Sequence, residues 1–167
     1  MNDLAQDFIE QSVSRINENT GKVLSCLDQL NDEEVWQRPN VASNSIGNIV
    51  LHLCGNIRQY AISSLSHLPD TRERDKEFSA KGGYSKEELK IKLTTTLDEA
   101  IKSIKSANEN NLLQIRSVQG FMLSGLGIIL HVTEHYSYHT GQIIFWTKIL
   151  KNKDLGFYAG MDLNVKN

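Results

Sequence analysis

Apolar and small residues recur near the start of the chain at alternating steps of four and three: Ile9, Val13, Ile16, Thr20, Val23, Leu27 and Leu30. Steps of three and four keep side chains on one stripe of an α-helix, so the pattern predicts a long helix from about Asp3 to Leu30. The pattern returns at Ile46, Ile49, Val50, Leu53, Ile57, Tyr60 and Ala61, just after Ser43, Asn44 and Ser45. Those three residues are helix starters, because their side chains accept from the free amides of a first turn. A second helix is expected from about Ser45 to His67. Pro39 and Pro69 fall between apolar blocks, where a residue without an amide hydrogen does least harm.

Ser85-Lys86-Glu87-Glu88 is a capping box ahead of Leu89, Leu93, Leu97, Ile101 and Ile104, which predicts a third helix from about Ser85 to Ala107. From Ser124 onward Leu126, Ile129, Leu130, Thr133, Tyr136, Thr140, Ile143, Ile144 and Thr147 carry a fourth to about Leu150, where Lys151 and Lys153 suit a helix C-terminus. The charged stretch Thr71 to Glu77, followed by Gly82 and Gly83, has the composition of a solvated connection rather than a packed element. It is longer than an antiparallel neighbour needs, so a crossover is expected there. For Leu112 to Gly120, loop, strand and helix turn all stay open, and the tail from Asp154 carries no pattern. Four amphipathic segments with no convincing period-two run predict an all-α four-helix bundle, with residues 1–167 forming one domain.

Composition narrows the function classes. The 167 residues carry 18 Lys+Arg against 20 Asp+Glu, a net charge of -2, so no basic surface is expected for a nucleic-acid backbone. Cys26 and Cys54 are too few for a disulfide framework and have no zinc-finger spacing, which predicts reduced thiols. The start carries Asp3, Asp7 and Glu10 where a secretory signal would be basic and then apolar, and no apolar run reaches membrane-spanning length. A cytoplasmic protein without nucleic-acid or membrane partners is the expectation.

The candidate chemistry is histidine. His131, His135 and His139 follow one another at steps of four on the fourth helix. Each step turns the helix by about 40° and rises about 6 Å, so neighbours in the trio can aim at one atom. The outer pair lies roughly 12 Å apart along the axis, while a metal wants each nitrogen at about 2.0–2.1 Å. One metal therefore takes two of the three. On the second helix Asn48, His52 and Asn56 also step by four through apolar surroundings. A polar line in a core costs stability unless it faces polar partners, and facing the histidine stripe would make His52 the third ligand. Gly47, Gly55 and Gly141 are expected to let the two backbones approach. His67 is expected at a helix C-terminus, favoured by the dipole. Glu134 and Gln142 are candidates to hold the second nitrogen of a ligating ring, while Tyr136 and Tyr138 are expected to pack. His131-Val132-Thr133-Glu134-His135 also matches the H-x-x-E-H pattern of inverted zinc peptidases. That chemistry needs a downstream carboxylate ligand, and only the tail's Asp154 and Asp162 follow.

His52 within Ile49-Val50-Leu51-His52-Leu53, together with His135-Tyr136-Ser137-Tyr138-His139-Thr140-Gly141-Gln142-Ile143, resembles the DinB-like (YfiT-like) family of metal-binding bundles. Trp36-Gln37-Arg38-Pro39 and Ser45-Ile46-Gly47-Asn48 are also similar, so the resemblance covers essentially the whole chain. It implies an up-down-down-up course and a divalent metal, zinc or nickel, on His52, His135 and His139. His131 then falls one turn beyond the ligands. Three imidazoles leave a coordination position open, as catalytic zinc sites do. What the resemblance implies in function is a metal-dependent enzyme of thiol S-transferase or hydrolase type, acting on a small molecule with a low-molecular-weight thiol, and a homodimer. The alternative is a non-enzymatic, stress-related module that binds metal or a small ligand. No catalytic residue is assigned from the sequence.

Overall fold

The computed structural model describes residues 2–166. In chain order it contains α1 (Asp3–Gln29), α2 (Asp32–Trp36), α3 (Ile46–Ile57), α4 (Arg74–Ser79), α5 (Lys86–Lys105), α6 (Glu109–Leu113), β1 (Ile115–Val118), β2 (Phe121–Ser124) and α7 (Gly125–Lys151). A π-helical segment, Arg58–Ser64, prolongs α3 without a break. The four long helices are those the apolar stripes predict, and each starts on a side-chain cap: Asn2, Ser45, Ser85 and Ser124. At Ser85 the capping box with Glu88 is closed in both directions.

Helix α1 packs on α5 and α7, and α3 packs on the same two. The stripe residues Ile9, Ile16, Val23 and Leu27 of α1 meet Leu89, Leu93 and Ile104 of α5 and Ile129, Tyr136 and Ile143 of α7 in one buried cluster. Burial of such side chains contributes roughly 1.5–3 kcal/mol each, which makes this cluster the frame that holds α3 and α7 face to face. Tyr136 is fully buried and its hydroxyl donates to Thr20. Tyr138, by contrast, is exposed, with its ring edge on His139, rather than packed.

Three expectations are corrected. The chain between the second and third long helices is not a solvated link, because it forms α4 and buries Glu77 and the Arg72 side chain. The all-α expectation gives way to a mainly helical fold with one two-stranded sheet, because the open passage Leu112 to Gly120 ends α6 and supplies β1 and the turn that pairs it with β2. Ile115 pairs with Ser124 and Val118 with Phe121 across the two-residue turn Gln119-Gly120, whose φ values of 51° and 83° are those of a tight hairpin turn. The second long helix runs as α-helix only to Ile57 and as π-helix beyond it. His67 follows in the left-handed region, exposed, where the helical run stops. In the tail, Leu155 and Phe157 rest against the core. Among the described residues no helix is long and apolar enough to cross a membrane.

Candidate metal centre

Helix α3 begins where Ser45 and Asn48 cap each other's free amides, and every residue from Ile46 to Cys54 is buried. His52 therefore sits on a rigid, fully packed element, about two turns beyond the Ser45 cap. Opposite it, α7 carries His131, His135 and His139 through the half-buried layer between the helices. The structure brings His52, His135 and His139 together: one ring nitrogen from each lies within 4.8 Å of the other two. His52 Nε2 and His135 Nε2 are 2.9 Å apart.

Two of the outer nitrogens are held by oxygen. His52 Nδ1 is 3.0 Å from Glu77 Oε2; a carboxylate can only accept, so Nδ1 carries the proton and Nε2 presents its lone pair. His139 Nδ1 is 2.8 Å from Gln142 Oε1, which likewise turns Nε2 inward. Burial holds the pKa of His139 below the ordinary histidine value, and with the neighbouring rings it pushes His135 down to about 3. His135 and His139 are thus neutral at pH 7, and ring nitrogens as close as those of His52 and His135 repel unless a proton or cation lies between them. Imidazoles that present Nε2 inward, two of them with Nδ1 held by oxygen, are the donor set of zinc-type ions. The residues present fit a divalent metal.

Glu77 is itself built into place. Its Oε1 accepts from Arg72 Nε at 2.7 Å and its Oε2 from Arg72 Nη2 at 2.8 Å, a bidentate pair with both side chains buried. Arg72 Nη2 also lies 3.1 Å from His52 Nδ1, so two donors converge on one carboxylate oxygen. Burial alone would raise the Glu77 pKa, but Arg72 and His52 outweigh it and hold the group below its ordinary value. Gly55 leaves the room, since a Cβ there would stand 1.9 Å from Glu77 Oε1. Arg72 Nη1 donates to Gln59 Oε1, and Phe78 lays its ring against His52 at 4.8 Å.

The remaining sequence candidates divide. Gln142 holds a ring nitrogen as expected, whereas Glu134 is exposed and accepts from no histidine among the described residues. Asn48 does not face the histidine stripe. Its amide donates to the backbone oxygens of Glu77 and Ala80 and ties α4 to α3. Asn56 does face α7, with Nδ2 3.3 Å from His131 Nε2. His131 stands outside the trio, stacked between Tyr60 at 4.1 Å and His135 at 5.2 Å. The glycines play other parts than backbone approach: Gly47 faces the Trp36 ring, Gly55 faces Glu77 and Gly141 faces open space. Cys26 and Cys54 are free and buried, and burial pushes the Cys54 thiol up to about 11, which leaves it no nucleophile. Sequence reasoning missed Arg72, Glu77 and Phe78.

Comparison with known proteins agrees with this architecture. The model of a family described as a protein of unknown function (DUF1572) matches residues 3–159. No curated protein matches the sequence. Among solved structures, the chain resembles a conserved protein of Enterococcus faecalis, with TM-score 0.73 and 15% identity over 86% of this chain and 97% of that one. It also resembles a DinB-like protein of Bacillus cereus (TM-score 0.68, 17% identity, 85% and 92% covered). A third similar structure is the DinB-like protein YjoA of Bacillus subtilis (TM-score 0.66, 14% identity, 86% and 94% covered).

Proposed function

Since the chain belongs to the DUF1572 family and has the fold of the DinB-like proteins, we propose that it binds one divalent metal ion, zinc or nickel, through Nε2 of His52, His135 and His139. The observation that carries this reading is the convergence of the three rings with Glu77 and Gln142 fixing the outer nitrogens of two of them. An ion so held supplies a Lewis acid that lowers the pKa of a thiol or water bound beside it. We assign the protein to metal-dependent thiol transfer or hydrolysis on a small molecule, with a low-molecular-weight thiol as co-substrate.

The chain's own residues then have definite tasks. Glu77 keeps the proton of His52 on Nδ1, and Arg72 keeps Glu77 ionised. Gln142 does for His139 what Glu77 does for His52. Phe78 covers His52 and limits water on that side. The same reading includes the up-down-down-up helix course, a cytoplasmic location, a homodimer, and no nucleic-acid or membrane partner.

One observation favours a second reading, a non-enzymatic metal or ligand module: Glu77 is wholly engaged by Arg72 and His52, so it is not free to act as a base. Cobalt-substituted protein titrated with a small thiol and with azide separates the two. A change in the visible spectrum supports an open position and the enzymatic reading; an unchanged spectrum supports the closed module.

A further inference from the structure

A cavity of about 490 Å³ lies between the α2–α3 connection and the C-terminal half of α7. Ile49, Phe145, Trp146 and Ile149 form its apolar walls, and no charged side chain lines it. The volume falls within the range of small-molecule sites. Asn40, Asn44 and Gln142 are the side-chain amides on its wall, and none of their amide nitrogens donates to another group among the described residues.

Gln142 links this cavity to the histidine cluster. If His139 binds metal through Nε2, its Nδ1 carries a proton, and only the oxygen of the Gln142 amide can meet it. The Gln142 Nε2 donors are thereby left for the cavity. Metal ligation thus fixes the polarity of a group that geometry alone leaves reversible.

We propose that the cavity is a ligand pocket coupled to the metal centre through Gln142, and that it takes a small molecule with an aromatic or aliphatic body and a carbonyl or carboxylate oxygen that accepts from Gln142 Nε2. The assignment rests on the metal reading for the amide's orientation. A body without charge suits walls without charge, because an unpaired charge is costly to desolvate there. A donor-only head group is rejected, because it would set N–H against N–H.

Three probes share one body and differ in the head: 3-phenylpropanoate, 3-phenylpropanamide and 3-phenylpropylammonium. Binding to the zinc-loaded full chain is read by the shift of the Trp146 indole N–H resonance, with Trp36 as the second indole of the sequence. The proposal expects the carboxylate or the amide, or both, to bind at least tenfold more tightly than the ammonium, and their relative affinity says whether the acceptor is charged or neutral. Q142E keeps an acceptor for His139 Nδ1–H while replacing the donor that faces the cavity. Compared with wild type at equal zinc loading, measured on the same samples, it should lose acceptor binding at least tenfold. F145A removes an exposed wall and should weaken every probe that binds, without loss of zinc. Equal binding of all three probes, no shift at Trp146, or acceptor binding undiminished in Q142E overturns the proposal. Failure of the wild type to bind zinc overturns the metal reading instead, and is scored on the same samples.

Discussion

Replacing Glu77 by glutamine removes one charge and almost no volume, so it isolates what the carboxylate does. In the wild type that group accepts two bonds from Arg72 and one from His52, with only 9% of its side chain and 3% of that of Arg72 exposed. An amide has one acceptor oxygen, which cannot serve both partners, and its N–H groups oppose the guanidinium. Leaving a buried cation without its counter-charge costs about 3–5 kcal/mol. For a chain of this size each kcal/mol lowers the melting temperature by roughly 2–4 °C, so a fall of about 6–20 °C is expected. Zinc affinity should fall about 10–100-fold, the usual effect of losing the partner that orients a ligating histidine. Thermal melts followed by circular dichroism read the first quantity and competition with a chelator reads the second. The double variant R72M/E77Q removes the stranded cation as well, so it should regain most of the stability. Its zinc affinity should remain below wild type, because a neutral amide orients the Nδ1 proton without the charge. A single variant that melts within 1 °C of wild type and binds zinc equally well would refute the account of Glu77.

Three further outcomes are expected. G55A places a Cβ where Glu77 Oε1 now sits, and should cost about 1–3 kcal/mol by overpacking and lower zinc affinity; unchanged urea midpoint and affinity would contradict the packing. The folded pKa of His135, about 3, lies below its unfolded value near 6.5, so the unfolded chain takes up the proton first and stability falls as pH drops through that window. The slope approaches ~1.4 kcal/mol per pH unit from this residue, and urea midpoints of the metal-free protein at pH 7 and pH 5 should show it. Zinc at 100 times its dissociation constant should add about 2.7 kcal/mol to wild-type stability, and the increment should vanish in H52A; an undiminished increment would place the third ligand elsewhere.

What the sequence discloses follows from how far each signal reaches. The long helices are legible because Ile9 through Leu30 and Leu89 through Ile104 repeat within one element. The histidine trio and Gln142 are legible for the same reason, since one turn of α7 carries both His139 and the group that holds it. Glu77 is not, because a charged run looks solvated when the cation that allows a carboxylate to be buried is known only from the fold. Phe78 and Ala80, apolar residues just after that run, are its one hint of packing. Asn48 misleads because steps of four drift by about 40° each: Asn48 and Asn56 lie on either side of His52, one toward α4 and the other toward α7. The hairpin's signal is the Gln119-Gly120 pair, where the glycine and a second residue adopt positive φ. Four-residue strands are too short for their alternation to stand out.

The most direct test counts metal. Elemental analysis of the wild-type protein after purification and dialysis should give one divalent ion per chain. H52A, H135A and H139A should each lose it, while H131A keeps it, because His131 is stacked beside the trio rather than aimed into it. Folding of each variant is checked by its circular dichroism spectrum. A folded wild type that holds no metal even after incubation with zinc or nickel would contradict the account, and so would loss of metal in H131A with H139A unaffected.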